Sequence, residues 1–259
     1  MMDHVHRNRK ITNTCMLVMV TFYVIAIVII MFIPKNSNYE SCILREEVRN
    51  IYKSNEPDII INNTKLYNTK VVWDFVLTEV LRESEESIKH SEFYQPNQPY
   101  DIIFIEKTIQ KTKGDETQEL QGTHSEGIIT VLYPQHGSII ETIAHEQTHY
   151  LMHKFAKDKE KSILNEGYCD YIGRKEYDIE NSELQELLSR PDAGTILLDF
   201  SKLDYTTRRL TVSLLKRFTD LSDSELLSLD AQEIDSYIDS IKEVVKRDYN
   251  KNIEVRNLI

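Results

Sequence analysis

Ser138-Ile139-Ile140-Glu141-Thr142-Ile143-Ala144-His145-Glu146-Gln147-Thr148-His149-Tyr150-Leu151-Met152-His153-Lys154-Phe155 reads as one amphipathic helix, and the rest of the chain is placed around it. Ser138 and Glu141 have the Ser-x-x-Glu spacing of a capping box, in which each side chain satisfies a backbone donor left open by the first turn. At ~100° per residue, Ile140, Ala144, Leu151 and Phe155 fall within about 60° of one another. His145, His149 and Thr142 fall roughly opposite, with Glu146 at their border. Such a helix is expected to pack one face on a core and turn the other to a cleft.

His145-Glu146-Gln147-Thr148-His149 sets two imidazoles one helical turn apart, so both can reach one ion. Zinc takes such nitrogen donors at about 2.0–2.1 Å. Glu146 lies beside them, placed to take a proton from a water that the metal activates. The plainer alternative is a metal-free helix bearing two surface histidines. A third donor weighs against it. Leu164-Asn165-Glu166-Gly167-Tyr168 follows at a distance that allows a reversal and a second helix, returning Glu166 to the metal. Asp170 stands one turn after Glu166 and faces the same way; it either fixes the tautomer of a ligand histidine by a hydrogen bond or is a solvated helix residue. His153 extends the histidine row but lies roughly 12 Å along the axis from His145, too far to share the ion. It is expected at the cleft edge or in packing. His124 and His136 have no metal spacing and are expected on the surface.

Upstream of this helix the pattern alternates between helix and short strand. Ile43 to Ser54 has helical spacing, and Asp58 to Asn63 holds an Ile-Ile-Ile run bounded by Pro57 and asparagines, a strand. Lys70 to His90 reads as a long helix, broken by Pro96 and Pro99. Tyr100–Glu106 and Gly127–Tyr133 read as buried strands, and the polar segment between them as a mobile loop. Beyond about residue 160 only helices are expected, near 162–176, 181–190, 204–219 and 230–247. Strands first and helices later indicate an α+β fold.

The N-terminus differs in kind. No charge stands between Lys10 and Lys35, and residues 16–33 are almost wholly apolar. Eighteen helical residues span roughly 27 Å, about one hydrocarbon core. The stretch exceeds the usual signal-peptide core and no Ala-x-Ala-like site follows, so an uncleaved anchor is preferred to a cleaved signal. Arg7, Arg9 and Lys10 crowd its first edge, which favours residues 1–15 in the cytoplasm and residues 34–259 outside, in a single-pass cell-membrane protein. Residues 34–42 read as a polar stalk. The net charge of −11 gives a nucleic-acid role no electrostatic support. Cys42 and Cys169 could pair if the domain faces an oxidising space, though their spacing does not imply a disulfide, and no lipobox-like sequence precedes a cysteine.

His-Glu-x-x-His, then Leu164-Asn165-Glu166-Gly167-Tyr168 with Tyr171, resembles the gluzincins, specifically the small peptidase-MA-like proteins related to aminopeptidases and thermolysin-like enzymes. The resemblance covers roughly residues 70–220. It implies a zincin-like fold, in which a small twisted sheet backs the motif helix and a helical lobe closes the cleft. It implies zinc held by His145, His149 and Glu166, and hydrolysis of peptide or protein substrates with Glu146 as base. It also implies that an edge strand above the metal pairs with the substrate, and Gly127–Tyr133 matches that strand by position. By the same resemblance Tyr205 is the candidate oxyanion donor, with Tyr168 and Tyr171 as competitors. The aminopeptidase signature Gly-x-Met-Glu-Asn is absent, Gly122-Thr123-His124-Ser125-Glu126 being a poor substitute, so endopeptidase action is expected. The alternative is a catalytically silent zinc-binding sensor or interaction module on the same scaffold.

Overall fold

Asp101-Ile-Ile-Phe-Ile-Glu106 is apolar at four successive positions because it is covered on both faces. Ile102 and Phe104 enter one core with Leu66, Ile129, Val131 and the helices, whereas Ile103 and Ile105 enter another with Tyr67, Ile128 and Leu132. The computed structural model describes residues 37–72, 74–113, 116–133, 137–174 and 205–256. The chain divides into Met1–Cys42 and Ile43–Ile259, and the second unit carries the sheet and the helices considered below.

In chain order the elements are α1 (Ser37–Ser54), β1 (Ile59–Ile61), β2 (Thr64–Tyr67), a 3-10 turn (Thr69–Val71), α2 (Asp74–Ile88), β3 (Asp101–Glu106), β4 (Ile109–Lys113), β5 (Glu116–Leu120), β6 (Gly122–Ser125), β7 (Ile128–Tyr133), α3 (Ile139–Phe155), a 3-10 turn (Lys159–Lys161), α4 (Asn165–Gly173), α5 (Tyr205–Phe218), α6 (Asp223–Leu226) and α7 (Ala231–Arg256). The fold is α+β. Five strands form a mixed sheet in the order β1-β2-β3-β7-β6, with β2, β3 and β7 parallel and β1 and β6 antiparallel at the two edges. β4 and β5 pair as a separate hairpin. Leu44 and Val48 of α1 cover one sheet face; α2 and α3 pack together, with α3 against β6 and β7.

Several expectations fail here. The segment between β3 and β7 is not a loop: it forms β4, β5 and β6, whose polar composition suits a hairpin and an edge strand. A two-residue turn, Glu126-Gly127 with φ of 55° and 82°, closes β6 onto β7 in register Ser125↔Ile128. β7 is therefore an interior strand, and β6 is the edge. The long helix expected from Lys70 begins only at Asp74, after the 3-10 turn. β2 is a strand that the sequence pattern does not announce. It follows a second two-residue turn, Asn62-Asn63, both at positive φ, which asparagine tolerates.

α3 ends where its sequence pattern ends, at Phe155, and Ser138 caps it by accepting from the Glu141 N–H at 3.3 Å. Glu141 pairs with Arg174 of the loop after α4 at 3.1 Å. The buried positions are Ile143, Ala144, Glu146, Gln147, Thr148, Leu151 and Met152, while Phe155, expected on the core face, is 46% exposed. The helix is embedded between the sheet, α2 and α4, so burial extends well beyond one stripe. No described helix is long and apolar enough to cross a membrane. The expected cytoplasmic segment 1–15, the anchor at 16–33, His136 and the helix at 181–190 lie outside the described residues.

Candidate metal centre

α3 and α4 bring three donors to one point. His145 Nε2 and His149 Nε2 lie 3.0 Å apart, and Glu166 Oε2 lies 3.6 Å from each. An ion binding all three at about 2.0–2.1 Å in tetrahedral geometry needs donor separations of roughly 3.3 Å, and the observed distances bracket that value. Among the described residues this is the one group of three His, Cys, Asp or Glu donors close enough to hold a metal. The donor set, two imidazole nitrogens and a carboxylate oxygen, is one that zinc accepts with a fourth position left for water or substrate.

The helix spacing that places Glu166 also places Asp170. Its Oδ1 is 2.9 Å from His145 Nδ1, where it can accept that nitrogen's proton and so direct the Nε2 lone pair of the neutral ring to a metal. Of its two expected roles, the geometry matches the tautomer-fixing one. Asp170→Ala should accordingly weaken zinc binding about 10–100-fold while leaving the three donors in place, as read by competition with a fluorescent chelator. Unchanged affinity would show that the hydrogen bond does not orient the imidazole.

Two glycines let α4 come this close. A Cβ on Gly173 would stand 3.0 Å from the Glu141 carbonyl oxygen and 3.3 Å from the His145 backbone nitrogen. One on Gly167 would stand 2.5 Å from the Arg208 carbonyl oxygen of α5. α4 is thus clamped between α3 and α5, which fixes Glu166 and Asp170 from both sides. On the other side of α3, β6 passes directly over Glu146. A Cβ on Gly122 would meet Thr142 Cγ2 at 2.8 Å and Glu146 Cγ at 3.1 Å.

Electrostatics divide the carboxylates. Glu146 is 6% exposed, and burial raises its pKa, opposed by His145 and His149. Burial acts on Glu166 too, but the two histidines outweigh it and hold its pKa well below the usual carboxylate range. Burial disfavours charge on His145, yet Asp170 and Glu166 outweigh it and hold its pKa well above the ordinary histidine value, so a metal must displace the Nε2 proton to bind there. Glu166 therefore stays an anion facing the two Nε2 atoms, whereas Glu146, close enough to feel both histidines, is the more readily protonated carboxylate. A cleft of about 330 Å³ opens onto His145, Glu146, His149 and Glu166, walled by Gly122 and His124 of β6.

The remaining candidates separate cleanly. Tyr168 is no oxyanion donor: it is fully buried, and its hydroxyl is held by Asp223 Oδ2 at 2.6 Å and Ser91 Oγ at 2.8 Å. Tyr171 packs against the core. Tyr205 is the first residue of α5, and its side chain lies outside the described residues. His153 is held by Glu160 at 3.1 Å. His124 is not the surface residue its spacing suggested. It points from β6 onto Tyr150 and His153, with ring centroids 5.5 Å away in each case, and burial, then His149 and His153, lower its pKa to about 4. The Glu126-Gly127 turn signal would have exposed β6, and with it Gly122 and His124, to sequence reading. Cys169 is a buried free thiol. No protein-family model, curated protein or solved structure matches the chain.

Proposed function

We propose that the chain is a membrane-anchored zinc peptidase of the gluzincin type, with a zincin-like fold, that cleaves peptide or protein substrates internally. The observation that carries the reading is the convergence of His145, His149 and Glu166, with Asp170 behind His145 and Glu146 buried beside the donors. Zinc, when bound, supplies a positive charge that lowers the pKa of an attacking water and polarises the scissile carbonyl.

Everything else is done by the chain's own groups. His145, held by Asp170, and His149 present neutral Nε2 atoms, and Glu166 supplies the anionic donor. Glu146 takes the proton of the attacking water and returns it to the departing amine. Its raised pKa suits a group that must hold that proton between the two steps. The short edge strand β6 lies along the cleft wall, where an extended substrate can add as a further strand, and glycine at 122 keeps that path open above Glu146. Tyr205 is assigned to the oxyanion through the family resemblance. The apolar stretch at 16–33 is assigned as the anchor, with the cytoplasmic side set by Arg7, Arg9 and Lys10 and the catalytic part outside.

The competing reading is a silent zinc-binding module. A buried carboxylate with no metal-binding geometry costs desolvation energy, which a purely structural site has no reason to retain. Metal analysis tests the premise common to both. The purified chain should carry about one zinc, lost on prolonged chelation and restored on addition. Zinc-supplemented protein that holds none would overturn the proposal.

A further inference from the structure

A second cavity, of about 250 Å³, opens beside the metal cleft. Leu120, Gly122, His145 and Glu146 line both. The second cavity turns away from His149 and Glu166, towards the first turn of α3 and the far end of α4, where Gly173 and Arg174 stand. Its volume falls below the ~300 Å³ from which pockets take whole small-molecule ligands, so it suits one side chain of a peptide lying in the cleft. Glu146 lines it at 6% exposure and accepts no hydrogen bond from any described residue, although carboxylates so buried are normally paired.

An accessible ion pair stands on its wall. Arg174 Nε lies 3.1 Å from Glu141 Oε2, and the two side chains are 46% and 42% exposed. A carboxylate has room for several donors, so Glu141 Oε1 can still accept. The helix ends do not decide the sign of the ligand. Glu141 and the Ser138 cap answer the positive end of α3, and Arg174 answers the negative end of α4. The side chains do decide it. Glu119, Glu141, Glu146 and Asp170 line the cavity, and Arg174 is the one lysine or arginine among the described lining residues. Asp170 is taken up by His145, which leaves three carboxylates against one guanidinium.

An acidic side chain would enter against that excess. A long basic one matches it: its stem can lie along Leu120 and the Thr142 methyl while its head reaches Glu141. On the peptidase reading, we propose that this cavity receives a lysine or arginine side chain flanking the scissile bond, with Glu141 as the residue that selects it. The net charge of −11 favours the approach of such basic substrates as well.

The purified, zinc-supplemented full chain is to be assayed on internally quenched peptides that differ only in one residue flanking the cleaved bond: lysine, leucine or glutamate. kcat/KM should be about tenfold or more higher for lysine than for leucine, the worth of a hydrogen bond to a charged group, and lower again for glutamate. Two variants separate contact with the substrate from a merely structural ion pair. Glu141→Gln should reduce the lysine-to-leucine ratio, whereas Arg174→Gln, which removes the cation and frees Glu141, should raise it. Should Glu141→Gln fail to fold, the rise in Arg174→Gln still decides. A ratio near one, a preference for leucine or glutamate, or a ratio that moves the same way in both variants overturns the assignment. If no peptide is cleaved, the peptidase reading fails instead, and binding of the same peptides, followed by fluorescence anisotropy, reads the cavity alone. Tighter binding of the lysine peptide, lost in Glu141→Gln, then supports the basic subsite, and equal binding of all three overturns it.

Discussion

Glu146→Gln should bind one zinc per chain and melt like the wild type, yet hydrolyse peptide bonds ~10²–10⁴-fold more slowly. That loss corresponds to about 3–5 kcal/mol of transition-state stabilisation. The amide has nearly the shape of the carboxylate, so Gly122 and Thr142 still accommodate it, but it cannot accept the water's proton. Glu166→Ala should fail in the opposite order. It removes one of three donors, so zinc affinity should fall by more than the 10–100-fold expected for Asp170→Ala, with activity following occupancy. Zinc content, melting temperature with and without chelator, and cleavage of a peptide library are to be measured on both variants. Near-normal turnover in Glu146→Gln removes the base assignment. Full zinc affinity in Glu166→Ala means that the third donor is elsewhere, with Asp170 the first place to look.

How much of this could be read from the sequence depends on how local each signal is. The motif helix was legible to its last residue, because Ser138 caps it and the histidine spacing is a property of one helix. Glu166 and Asp170 were legible as a pair for the same reason; their meeting with His145 needs α4 to approach α3, and that rests on Gly173, whose role no local pattern reveals. β3 and β7 stood out as apolar runs because both faces of the sheet are covered. β2 and the β4–β6 stretch did not, since short, polar edge strands and hairpins carry little hydrophobic signal, and their turns (Asn62-Asn63 and Glu126-Gly127) were the overlooked evidence. The edge strand is misplaced for the same reason: with so little signal from β6, β7 reads as the strand beside the substrate. His124 reads as a surface residue because its environment is built by Tyr150 and His153 from another element.

The largest loss of stability is expected away from the metal, at Asp223. This carboxylate is 3% exposed and accepts three hydrogen bonds. The Tyr168 hydroxyl donates to Oδ2 at 2.6 Å, the Glu92 N–H to the same oxygen at 2.9 Å, and Lys216 Nζ to Oδ1 at 2.7 Å. In return the Asp223 N–H donates to Glu92 Oε2 at 3.0 Å. The network ties α6 and α5 to the loop after α2 and to Tyr168, two residues from Glu166 on α4. Removing one partner of a buried ion pair typically costs about 3–5 kcal/mol, because the other is left desolvated. The Lys216 side chain is 25% exposed and can turn to water, so the lower end, about 3 kcal/mol, applies to Asp223→Ala. The donors of the metal site remain in this variant, so zinc should restore part of the loss by binding the folded state, about 2.7 kcal/mol at a hundredfold excess over Kd. Glu166→Ala, lacking a donor, should gain far less from zinc. Denaturant unfolding of both variants, each with zinc and with chelator, separates the two effects. Asp223→Ala within about 0.5 kcal/mol of wild type, the range of an ordinary surface change, would show that the network does not hold α4.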